Sequence, residues 1–178
     1  MEKSIVNGYH ELAMSCGCVY KCTGNELYKI SVRDEKNYAH LIPYITNSAF
    51  ACELFLKSMI PNDNQNKSKR KNRQDTKRKN NKTHGLCELF LSLDSNRQRE
   101  IKDKTIEKIA ISFDSSYSDK DFDSDFKMHS NSFVDWRYFF ERTTNDEELK
   151  AKPQFMLCFM EALYEIAKEH YLTEDKTT

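Results

Sequence analysis

Glycine and proline are scarce: four and three among 178 residues. Tight hairpin turns lean on those two residue types. Their shortage disfavours a strand-rich chain and favours long helices. No stretch approaches the roughly 18 apolar residues that a membrane-spanning helix requires. The opening MEKSIVNGYH has no apolar core of signal-peptide length. A soluble, cytoplasmic protein is therefore expected, and its six cysteines (16, 18, 22, 52, 87 and 158) are expected as reduced thiols. A Gly-rich phosphate loop is missing, as is a Ser/His/Asp hydrolase signature. No cofactor is implied. What is present suffices for a core, and residues 1–178 are expected to form one helical domain.

Net charge is also lacking, with 28 basic against 28 acidic residues, but the balance hides two poles. Residues 61–83, PNDNQNKSKRKNRQDTKRKNNKT, carry nine Lys/Arg and two Asp, a net +7. The rest of the chain is left with −7, from 19 basic and 26 acidic residues. Pro61 is the only apolar residue of the basic stretch. It has little to bury against the entropy of ordering, so a long disordered loop inserted in the domain is expected. Lys67, Lys69, Arg70, Lys71, Arg73, Lys77, Arg78, Lys79 and Lys82 form its charge. One reading is a phosphate-seeking arm for RNA, binding in a salt-dependent way. The other is a solvated insertion, since no aromatic residue interrupts it to stack on bases.

The acidic pole includes DSSYSDKDFDSDF, residues 114–126. Its Asp121-x-Asp123-x-Asp125 spacing opens like a calcium loop, but Phe126 and Ser132 stand where Gly and Glu belong. The alternation of Ser and Asp is read as a surface loop with an N-cap nearby. Cys16, Cys18 and Cys22 lie near His10, but Cys-x-Cys-x3-Cys is not the paired spacing of compact zinc sites. Core thiols are expected there, and no metal.

Periodicity places the helices. Ile5, Tyr9, Leu12, Cys16 and Val19 form one apolar stripe over residues 3–21, with Gly24 as a stop. ELYKISVR, residues 26–33, is open between helix and extended connector. Residues 43–60 read as a helix apolar nearly all round, hence central. Shorter helical patterns follow near 84–93, 96–113 and 128–143. Another spans 147–171, its regular part beginning near Pro153. The expectation is an all-α, antiparallel bundle of five or six helices.

NSAFACELFLKSMI, then HGLCELFLSL, then FVDWRYFFE, all within residues 38–141, make up a series that resembles the HEPN-like helical proteins. That resemblance implies a helical bundle, frequently a homodimer, often in microbial defence or toxin–antitoxin settings. Many members of that family are metal-independent ribonucleases whose motif is Arg, a polar residue, then His. RDEKNYAH is similar, with Arg33, Asp34 and His40. The resemblance implies that His40 moves a proton and Arg33 stabilises charge on the phosphate. If the stretch were one helix, the two would share a face about 10 Å apart; Pro43, which cannot donate and crowds the carbonyl of Ala39, argues for a break. The family-like polar positions Glu53, Lys57, His84, Arg137 and Glu141 suggest either a polar network fixing helix packing or a nucleotide or RNA pocket. Three functions follow as alternatives: an RNA- or nucleotide-associated HEPN-like protein, a non-enzymatic interaction module with a protein partner, and a ribonuclease using Arg33 and His40.

Overall fold

The computed structural model describes residues 2–33, 38–60, 85–138 and 151–174. Among them are seven α-helices, one 3-10 turn and no strand. The helices are α1 (Glu2–Arg33), α2 (Leu41–Met59), α3 (Leu86–Leu91), α4 (Ser95–Ser112), α5 (Asp119–Met128), α6 (Ser132–Arg137) and α7 (Pro153–Glu174), with the turn at Tyr38–His40 before α2. The all-α expectation holds. No described helix is long and apolar enough to cross a membrane.

Helix α2 is the axis. Tyr44, Ile45, Ala49, Cys52, Phe55 and Leu56 are fully buried, because helices pack on it from several sides. Pro43 sits in its first turn, where a missing N–H costs no hydrogen bond. Helix α1 runs antiparallel to it: Gly17 lies against Phe55, and Gly24 against Ser48. Helix α7 covers a further side with Phe155, Met156, Phe159, Met160, Leu163 and Ile166, all at most 2% exposed. Its start is pinned by the Tyr44 hydroxyl, which donates to the Pro153 carbonyl at 2.8 Å.

Two carboxylates one turn apart hold α7 to its neighbours. Glu161 takes Lys21 at 3.0 Å and the Asn25 amide at 2.8 Å, both from α1. Glu165 takes Lys104 at 3.0 Å and Lys108 at 2.6 Å, both from α4. Burial would raise the Glu165 pKa, but the two ammonium groups outweigh it and hold it below the ordinary value.

Four expectations need correction. Helix α1 does not stop before Gly24 but continues to Arg33. Gly24 is an interior contact that lets the Ser48 hydroxyl within 2.8 Å of where a Cβ would stand. At Leu12 and Val19 the apolar stripe of α1 is not its core face. Leu12 and Val19 are 64% and 66% exposed, while Ala13, Gly17 and Gly24 are buried. Small residues win the inner face because they let the α2 backbone come close. The acidic stretch 114–126 is not all loop. Asp121 accepts from the Ser118 N–H at 2.9 Å and hydroxyl at 2.5 Å, which starts α5 and buries Phe122 and Phe126. Finally, Cys22 is exposed rather than a core thiol, and Cys16 and Cys18 are half-buried.

Candidate nucleic-acid interface

Arg33 and His40 do not share a helix. Arg33 is the last residue of α1 and is exposed. His40 closes the 3-10 turn and stands half-buried at the entry to α2. That turn packs against both helices, so the two residues sit on adjoining element ends. Asp34 lies outside the described residues.

Glu53 and Lys57 form the helical pair that their spacing predicts, at 2.5 Å. The carboxylate is 1% exposed and the lysine side chain 23%. Lys57 therefore carries charge from the core to the surface, along its own aliphatic stem. A buried carboxylate needs such company. His84 and Glu141 lie outside the described residues, as do all nine cations of residues 61–83.

Arg137, at the end of α6, is exposed and lies over two rings. Its guanidinium carbon is 5.8 Å from the Phe133 centroid and 5.5 Å from that of Tyr138, which is 40% exposed. Phe133 stacks on Phe50 of α2 at 4.7 Å and 21°. Phe50 in turn meets Tyr20 of α1 edge-on at 4.6 Å. The result is a ladder, Tyr20–Phe50–Phe133–Arg137–Tyr138, drawn from three helices and half-open to solvent. Sequence reading singles out Arg137 but not the ladder, because its rungs are far apart in the chain. Rings with open edges or faces next to a guanidinium match what unpaired bases stack on.

Two further polar clusters read as structural. His129 is fully buried between α5 and α6. Its Nε2 accepts the Lys152 backbone N–H at 3.0 Å, so the neutral ring carries its proton on Nδ1, 2.8 Å from the Ser132 hydroxyl. The ring stacks on Phe155 at 5.5 Å. Burial pushes its pKa down to about 4. A lone His in MHSNS gives no sequence signal of this joint. The acidic residues of α5 diverge: Asp119 and Asp123 pair with Lys102 at 3.3 and 2.9 Å, and buried Asp125 accepts from Tyr117 at 3.1 Å. Burial opposes the charge on Lys102, yet hydrogen bonds to Asp123 and Asp119 raise its pKa. Beside them a cleft of about 570 Å³ runs between α3, α4 and α5, floored by Phe90 and Phe122 and rimmed by Arg99 and Lys127. Its rim carries both signs of charge, which favours neither anion nor cation.

No family model matches the chain, and neither does any curated protein or solved structure.

Proposed function

We propose that this is a HEPN-like helical protein that binds single-stranded RNA without cleaving it. The observation that supports this is the aromatic ladder ending in Arg137 between Phe133 and Tyr138. It supplies the stacking surface that residues 61–83 lack, and those residues add nine cations to its single guanidinium. In this reading, bases stack beside Tyr138 and Arg137 while the basic segment neutralises phosphates. Sequence preference is weak, because stacking accepts every base.

Fluorescence anisotropy with a labelled single-stranded RNA of about 20 nucleotides, the length of a binding groove or two, tests this. Affinity is expected to fall steeply with salt. Arg137→Ala and Tyr138→Ala are each expected to weaken it about tenfold, the value of one lost stacking contact. Both sites are exposed, so the helical circular dichroism should not change. Binding untouched by both substitutions, or absent at low salt, would remove the reading.

A second reading has its own support. The Tyr38–His40 turn packs on α1, which ends in Arg33, so both groups of a metal-independent ribonuclease stand at one end of the α1–α2 hairpin. RNA cleavage in EDTA by the parent but not by His40→Ala would establish it in place of the first.

A further inference from the structure

Cys18 and Cys22 stand four apart on the unbroken helix α1, so both thiols lie on one face, a turn from each other. That face borders α7. Cys18 packs against the core, and Lys21, between the two, reaches Glu161 at 3.0 Å and lies 4.4 Å from the Tyr164 ring. Lys168, a turn further along α7, approaches the same ring at 5.9 Å. We propose that this pair of thiols binds a single copper(I) ion, held between the two sulfurs and charge-balanced by Lys21 and Lys168.

Spacing decides what the pair can do. Residues four apart on a helix set their Cβ atoms about 5–6 Å apart. A disulfide needs about 3.8 Å, which the helix does not offer. An ion in line between two sulfurs spreads them to about 4.6 Å, twice a metal–thiolate bond of about 2.3 Å. Two cysteine side chains meet that span with the backbone undisturbed. Zinc asks for four ligands, and among the described residues no group of three or more His, Cys, Asp and Glu is placed to hold a metal. Copper(I) is soft, selects thiolates, and is satisfied by two of them. Cys16 is two residues from Cys18, roughly 200° round the helix, and lies outside the pair.

Charge agrees with spacing. Each thiol gives up its proton on binding and no electron moves, so the loaded site carries one negative charge. Burial and the nearness of Cys22 push the Cys18 thiol up, while Lys21 and Lys168 draw it down. The same two ammonium groups then face the anionic complex. Glu161 takes a share of Lys21, which leaves more of this task to Lys168.

Anaerobic titration of the full, reduced chain with copper(I), against the coloured chelator bicinchoninate, is the test. A single copper per chain is expected to leave the chelator. Cys18→Ser and Cys22→Ser should each weaken that binding by more than about a hundredfold, beyond what a change outside the ligands costs. Cys16→Ser should leave it as it is. Helical circular dichroism should match the parent in all three, since Cys22 is exposed and Cys16 and Cys18 are half-buried. Lys168→Glu, at an exposed position, should weaken binding about fivefold, the upper value of a surface charge pair. X-ray absorption at the copper edge should count two sulfurs, and excess zinc should not displace the ion. No copper drawn from the chelator would overturn the inference. So would copper retained by both Cys18→Ser and Cys22→Ser, or a count of three sulfurs, because the ion would then be held by other thiols.

Discussion

Two joints of this molecule are closed by opposite means. The α1–α2 seam is closed by missing side chains: at Gly17 a Cβ would stand 2.6 Å from the Phe55 ring, and at Gly24 2.8 Å from the Ser48 hydroxyl. The α5–α6–α7 corner is closed by a side chain, His129, which reaches Ser132 and the Lys152 N–H at once. The first joint depends on space and is indifferent to protons. The second depends on one imidazole staying neutral. The difference teaches that the same core can fail by crowding at one place and by acid at another.

The largest effect expected from this contrast is at the corner. The folded His129 pKa is about 4, against 6.5 for the free side chain. Between those values the unfolded chain binds a proton that the folded chain refuses. Stability from this group is therefore full above pH 6.5, falls as the pH drops toward 4, and is level below. The whole drop amounts to about 3 kcal/mol. Denaturant melts of the parent and of His129→Gln, followed by circular dichroism across that range, should differ by this slope. Parallel curves would mean that the imidazole is not held neutral.

Next comes the seam. Gly17→Ala gains helix propensity of about 1 kcal/mol. It also drives a methyl group into Phe55, which is fully buried and has nowhere to turn. A net loss of about 1–3 kcal/mol is expected, equal at pH 7 and pH 5. A neutral or stabilising result would show that the two helices are farther apart than described. The smallest effect lies on the opposite face of the same helix. Leu12→Ser, measured at a concentration where the chain is monomeric, should change stability by no more than about 0.5 kcal/mol. A larger loss would put the outer face inside the monomer.

These contrasts also mark how far the sequence could be read. Helix α2 was legible because its residues are apolar all round, and Pro153 marked the start of α7. The Glu53–Lys57 pair was legible from its spacing alone. Helix α1 was legible as a helix but not in orientation. Apolar periodicity counts methyl groups, whereas Ala13, Gly17 and Gly24 are inside because of what they lack. Helix α5 was hidden by its aspartates, although Phe122 and Phe126 stand four apart behind the Ser118-x-x-Asp121 start. The ladder and the His129 joint could not be read, since each joins residues that only the tertiary fold brings together.

The place of α7 in this architecture sets a time order as well as a geometry. Helices α1 and α2 are neighbours in the chain and can pair as soon as both exist. The side of α2 that meets Met156 through Cys52 has no such local cover. Its cover lies about a hundred residues downstream, and α4 likewise waits for Glu165. Contacts of that sequence separation form late and slow the closing of a fold. A chain still being synthesised therefore carries its most apolar helix half-dressed until residues 153–167 arrive. That is the interval in which collapse with a neighbouring chain competes with folding.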